Sequence, residues 1–191
     1  MDIPTHHLIH GTCTDLLTGE TIVDTDDERI RQEIIRLMLE EKGYGKEELV
    51  PRRAINTLFG GRFVTSIVDL SFFLQGKCFM ALRYGPGSLV TRERAAVAAA
   101  RVIEPGYIVP FAAVTNGRDA ELIDSVTAKV VATGLDSLPH RNQAMTILAQ
   151  LDFSAGLTPE RREKELRVLN AYDFEQCCAG CPCPLPGARE G

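Results

Sequence analysis

The sequence has no apolar run long enough to cross a bilayer, and its opening, MDIPTHHLIHGT, lacks the basic-then-apolar pattern of a secretory signal. A cytoplasmic protein without a membrane partner is therefore expected. It also lacks a Gly-x-x-x-x-Gly-Lys phosphate loop, a Gly-x-Gly-x-x-Gly dinucleotide fingerprint and any grouping that suggests a Ser-His-Asp triad, so those chemistries have no residue support. No internal repeat is visible, and nothing in the pattern specifies an oligomeric state.

A disulfide framework is missing as well. Of six cysteines, Cys177, Cys178, Cys181 and Cys183 crowd into a short stretch near the C-terminus, too close together to tie distant strands. Cys178-x-x-Cys181 has knuckle spacing, and its two flanking thiols make Zn²⁺ a candidate cofactor, with Cys13 or His6, His7 and His10 as further ligands. Against this, Pro182 stiffens a segment with little room for a tetrahedron, so residues 176–191 read by default as a reduced tail. Cys78 alternates with apolar neighbours and is most simply core. His140, after Pro139, reads as a helix cap or surface group.

What is present is a chain of 191 residues, 45% of them hydrophobic, enough for one compact domain with a substantial core. That domain is expected over 1–175, centred on about 25–135. The net charge of −5 argues against a polyanion partner, but its distribution argues otherwise. Residues 51–101 carry Arg52, Arg53, Arg62, Lys77, Arg83, Arg92, Arg94 and Arg101 against only Asp69 and Glu93, a local charge of +6 that leaves −11 for the remainder. A field of that sign can attract nucleic acid through Arg52, Arg53, Arg62, Arg83, Arg92 and Arg94. The alternative is that these are ordinary surface arginines.

Thr25-Asp26-Asp27-Glu28 has the form of a capping box, and Ile30, Ile34 and Leu37 follow at helical spacing until Gly43 and Gly45, which predicts a helix over 26–42. Strands are expected over 49–59, 64–74, 77–84, 107–115 and 129–133, with the 64–74 and 77–84 pair forming a central hairpin. The alanine-rich segment 92–103 reads as a closely packed helix. Two later helices start near Arg141 and at Thr158-Pro159-Glu160, where proline takes the first helical position. The order implies an α/β fold, a mixed central sheet flanked by helices.

The helix DDERIRQEIIRLMLEEKGY with its Glu28, Arg31 and Gln32, the hairpin IVDLSFFLQGKCFMALRYGPGS and the strand VPFAAVTNGRD with Thr115, Asn116 and Gly117 together resemble the nuclease domain that begins the type I restriction enzyme R subunit. The likeness spans about residues 15–135 and includes the lead-in TDLLTGETIVDT. It implies a restriction-endonuclease-like fold, DNA as partner and Mg²⁺ as cofactor, because that family places an Asp and an Asp/Glu-x-Lys on neighbouring strands to hold the metal and polarise water.

Asp69 matches the first acid, but the second motif reads Ala81-Leu82-Arg83. One carboxylate is gone, and the lysine has become an arginine that cannot give up its proton. Impaired cleavage with retained phosphate binding by Arg83 is the resulting expectation. One alternative is an active endonuclease using Glu93 or Glu28 as a migrated second acid; the other is a non-enzymatic scaffold. Without the motor domains of a full R subunit, translocation along DNA is not expected of this chain. Asp69 can equally form an ion pair with Arg83. A three-residue loop at Gln75-Gly76-Lys77 sets Asp69 across from Arg83 and Ser71 across from Ala81, whereas a two-residue loop without a bulge sends Asp69 and Arg83 to opposite faces.

Overall fold

The computed structural model describes residues 9–176. Thr25 opens the first helix: its hydroxyl accepts from the Glu28 N–H at 3.1 Å, and Asp26, Asp27 and Glu28 place negative charge at the positive end of the helix dipole. This helix, α1 (Asp26–Arg36), runs into a wider π turn over Leu37–Glu41 before Gly43. It follows a small hairpin of β1 (Ile9–Thr14) and β2 (Thr21–Thr25), which the sequence reading did not anticipate.

The main sheet has six strands in simple chain order: β3 (Leu49–Phe59), β4 (Arg62–Leu74), β5 (Lys77–Tyr84), β6 (Phe111–Thr115), β7 (Ala120–Asp124) and β8 (Lys129–Thr133). Only β5 and β6 run parallel, joined by the crossover helix α2 (Val90–Val102); every other neighbour is antiparallel. The expected α/β architecture with a mixed sheet is what forms. Strand β7 was not foreseen, because AELID is short and lies between the Asn116-Gly117 and Ser125–Ala128 turns.

Two apolar layers cover the sheet. On one face α1, the π turn that follows it and α3 (Arg141–Leu148) bury Ile34, Ile35, Met38, Ala144 and Leu148 against Leu70, Phe72, Met80 and Leu82. On the other, α2 and α4 (Pro159–Gln176) enclose Val68, Ala81, Ala112 and Val114. Ala95, Ala96, Ala98, Ala99 and Ala100 are all buried, so their small side chains let α2 lie close to both sheet and α4. Cys78 is fully buried here, as expected. His140 takes the N-cap position of α3, its N–H donating to Gln143 Oε1 at 2.9 Å. No helix among the described residues is long and apolar enough to cross a membrane. The tail cysteines Cys177, Cys178, Cys181 and Cys183, with His6 and His7, lie outside the described residues.

The Thr115-Asn116-Gly117 turn is a structural joint. Asn116 Oδ1 accepts from the Arg118 and Asp119 N–H groups, while Nδ2 reaches Gly87 O at 3.0 Å and ties this turn to the loop after β5. Gly117 has φ +85°, and a Cβ there would lie 2.5 Å from Ile30 Cγ2 on α1. Gly117→Ala should therefore cost about 1–3 kcal/mol from left-handed strain and overpacking. A chemical denaturation midpoint equal to wild type would rule out this joint.

Candidate functional site

Alternation along β3 and β4 breaks at one rung. Val68 packs in the α2–α4 layer and Leu70 in the α1–α3 layer although both are even-numbered; on β3, Ile55 and Leu49 divide the same way. The pairing runs Arg53↔Val68 and Pro51↔Leu70, so the change of face falls at Arg52 and Asp69, and Arg52 has φ +51°. A strand that turns over without changing register needs such a non-extended residue. Both side chains at this rung reach groups on or beside α1.

There they meet a polar cluster under the helix. Arg31 Nε donates to Asp69 Oδ1 at 2.6 Å, the Tyr84 N–H donates to Asp69 Oδ2 at 2.8 Å, and Arg31 Nη1 lies 3.6 Å from Glu28 Oε2. Arg52 Nη2 bridges Asp15 Oδ2 at 2.5 Å and Glu28 Oε1 at 2.9 Å. Gln32 Nε2 donates to both of these acids, while its Oε1 accepts from the Leu16 N–H. The Arg31 guanidinium also lies over the Tyr84 ring at 5.1 Å, and the Tyr84 hydroxyl donates to Asp27. Asp15, Glu28, Gln32 and Asp69 are all buried.

Burial works against the Arg31 charge, but the Asp69 and Glu28 carboxylates outweigh it and hold the guanidinium more firmly protonated than usual. Burial likewise raises Asp15, yet hydrogen bonds from the Thr18 N–H, Arg52, the Leu17 N–H and Gln32 prevail and hold it at about 2. For the Tyr84 hydroxyl the two effects reinforce each other: burial raises its pKa, and so does the Asp27 carboxylate it donates to.

Of the helix residues, Arg31 meets Asp69 directly, Glu28 stands beside that arginine, and Gln32 joins Glu28 to Asp15. Glu93 does not meet Asp69: it sits at the start of α2 and its charge acts on Glu121 of β7, whose carboxyl is raised by burial first and then by Glu93. A migrated second acid from this helix is therefore not brought to Asp69. Nor is Arg83 paired with Asp69. The β4–β5 turn is the two-residue Gln75-Gly76, both at positive φ, rather than the expected three-residue loop. A bulge between Phe72 and Phe73 shifts the pairing back, so Ser71 faces Ala81 and Leu70 faces Leu82, as the longer loop would have given. Asp69 nonetheless leaves that alignment for Arg31, because the strand turns over there, and Arg83 donates to Asp173 on α4 at 2.8 Å.

The arginine-rich segment does not form an open basic rim. Arg52 is held by Asp15 and Glu28, Arg53 by Glu104 at 2.6 Å, Arg83 by Asp173, and Arg101 by Glu165 at 2.7 Å. Arg62 lies over the Phe174 ring, Arg92 donates to Pro86 O, and the more exposed Arg94 stands 3.7 Å from Glu165. Segment charge overstated the free charge because the acids that neutralise these arginines come from distant parts of the chain.

Mg²⁺ does not fit the donors present. Both Asp69 oxygens are engaged, one of them by a cation; Ala81 stands where a second strand carboxylate would be needed; and no group of three or more potential ligands for a metal occurs among the described residues. Sequence reasoning gave no role to Asp15, Arg31, Gln32 or Tyr84. The signal for Arg31 and Gln32 was available, since they lie three and four residues after Glu28 on one helical face.

The family profile described as the type I restriction enzyme R protein N terminus matches residues 26–139, more than half of the chain. No curated protein and no solved structure matches significantly.

A carboxylate held low contributes stability above its unfolded value and loses it as pH falls through its folded one. Asp15 should thus support the fold above about pH 4 and release that support toward pH 2. Asp15→Asn should be less stable at neutral pH and show a shallower acid decline over this window. Parallel declines of the two proteins in urea unfolding would contradict the assignment.

Proposed function

This chain belongs to the family of the type I restriction enzyme R protein N terminus, and from that premise we propose that it is a nuclease-derived, nucleic-acid-associated domain in which metal-dependent cleavage is impaired. The observation that carries the reading is the double engagement of Asp69 by Arg31 and the Tyr84 N–H, with Ala81 in place of a second strand acid. Hydrolysis of a phosphodiester in this manner requires a cation and a positioned water next to free carboxylate oxygens. The cluster supplies positive charge already bound to its acids. Arg83 is turned to Asp173, so no proton acceptor stands beside Asp69 in the lysine's place.

In this reading phosphate contact falls to the start of α2, where Arg94 is exposed, and to Arg62 and Arg92. A second reading, a protein-interaction scaffold that has given up nucleic acid, is favoured by the internal pairing of Arg52, Arg53 and Arg83.

Two measurements separate these readings from an active endonuclease. Supercoiled plasmid incubated with Mg²⁺ or Mn²⁺ should be nicked no faster by wild type than by Asp69→Ala; faster nicking by wild type would refute impaired cleavage. Duplex DNA binding should weaken steeply with added salt, and Arg94→Ala should reduce the slope of log affinity against log salt by about 1. A lack of measurable, salt-sensitive binding would leave the scaffold reading.

A further inference from the structure

Beyond the rung at Arg52 and Asp69, β3 and β4 run on as a two-stranded arm that β5 does not follow. Their pairing is unbroken from Arg53↔Val68 to Phe59↔Arg62, whereas β5 meets β4 over Leu70–Leu74. One face of the arm lies under α4, where Asn170 donates to Thr57 and to Arg62 O, and Arg167 stands over the Phe59 ring. The opposite face carries Ala54, Asn56 and Leu58 beside Ile67, Thr65 and Phe63, without a charge. All of these but Ile67 are exposed, and the cross-strand pair Leu58 and Phe63 are each 65% so. The outer edge of β3 is open as well. Gly60 and Gly61, both at positive φ, close the arm on the Phe59–Arg62 pair, so Phe59, Thr57 and Ile55 bond to β4. The N–H and C=O groups of Ala54, Asn56 and Leu58 then point out of the sheet, and no other described segment pairs with them. We propose that this arm is the contact surface for a second copy of the chain, which adds to β3 antiparallel about a two-fold axis at Asn56. The inference does not rest on the nucleic-acid reading.

Sheet edges are normally blunted against pairing, and the two edges here differ. At the far end β8 is five residues long, begins with Lys129 and pairs through a bulge. Strand β3 has Pro51 and the non-extended Arg52 near its start, but residues 54–59 contain neither a charge nor a proline. Such a segment paired with itself sets no like charges opposite one another, and a two-fold contact closes on two copies instead of growing. With Asn56 opposite its own copy, Leu58 falls opposite Ala54 of the second copy, a large side chain beside a small one in both halves. The outward groups of Ala54, Asn56 and Leu58 on the two strands then exchange about six backbone hydrogen bonds. Asn56 suits the axis: its Oδ1 accepts from Thr65 Oγ1 at 2.9 Å, and its Nδ2 can donate to Oδ1 of the second Asn56. On the four-stranded face that results, Phe63, Leu58 and Ala54 and Ile67 of the second copy form one apolar row, and the symmetric row lies beyond the asparagines. At ~3.4 Å per residue the paired edge is about 20 Å long. An interface that narrow buries less than the roughly 800 Å² a side of a standard complex, which makes the dimer weak and concentration-dependent.

The test is sedimentation velocity of the full chain in reducing buffer, over roughly 10–500 µM, where wild type should show a monomer–dimer equilibrium. Leu58→Lys puts a charge into the apolar row and should weaken dimerisation about tenfold or more. Asn56→Pro should do the same, because it removes an outward N–H without taking a bond from β4. Ala54→Glu combined with Leu58→Lys should restore the dimer. Each introduced lysine then lies opposite a glutamate of the other copy, while within one strand the two are four residues apart and do not meet. Val131→Lys, on the β8 edge, should leave dimerisation unchanged. Denaturation midpoints at low concentration check that each variant folds; should Asn56→Pro not fold, Leu58→Lys and its rescue decide alone. A wild type that stays monomeric throughout would leave the edge to a different partner and overturn the inference. So would a dimer that Leu58→Lys does not weaken, a double variant that fails to recover it, or its loss in Val131→Lys.

Discussion

The contact between Arg31 and Asp69 holds this molecule's candidate site together. It joins α1 to the strand rung where β3 and β4 turn over. Asp69 accepts from Arg31 on one oxygen and from the end of β5 on the other, so helix, β4 and β5 are locked at a single carboxylate. Breaking a buried ion pair from one side strands the remaining charge, a loss of about 3–5 kcal/mol when fully enclosed. Here the partial exposure of Arg31 makes the cost smaller. The same contact leaves neither Asp69 oxygen free, since the Tyr84 N–H takes the other.

Around that contact the charges of the chain sort themselves by tertiary pairing. A basic stretch of +6 and an acidic remainder of −11 suggest an open positive face when read linearly. Folding brings Asp15, Glu104, Glu165 and Asp173 from outside the stretch onto Arg52, Arg53, Arg101 and Arg83. Buried or half-buried arginines need such partners, since an unpaired charge out of water is far costlier than a paired one. The fold therefore consumes much of the segment's positive field, and what reaches solvent is scattered over Arg62 on β4, Lys77 on β5 and Arg94 on α2.

Much of the architecture was legible because it rests on local periodicity. Strands β3, β5 and β8 begin and end where β-branched runs meet glycine, proline or turn residues, and α1 starts at its cap. Strand β7 and the β1–β2 hairpin were missed because each is short and takes its stability from neighbours rather than from its own pattern. In the hairpin, the pairing of Ser71 with Ala81 was foreseen for the wrong reason: a tight Gln75-Gly76 turn and a bulge at Phe72–Phe73 cancel to the same alignment. Loop length alone cannot reveal a compensating bulge, because the extra residue has the same apolar character as its neighbours.

The family likeness, the α/β class and the presence of Ala81 rather than an acid on β5 were determined by the sequence alone, since each depends on residue identity and near-neighbour spacing. The partners of Asp69, Arg83 and Glu93 were decided only by the tertiary structure. A half-turn of two strands at Arg52 and Asp69 sends one side chain to α1, while Arg83 turns to α4, and linear spacing carries no record of that rotation. Cation and anion meet across 38 residues in one pair and 90 in the other, at separations where packing, rather than periodicity, selects the partner.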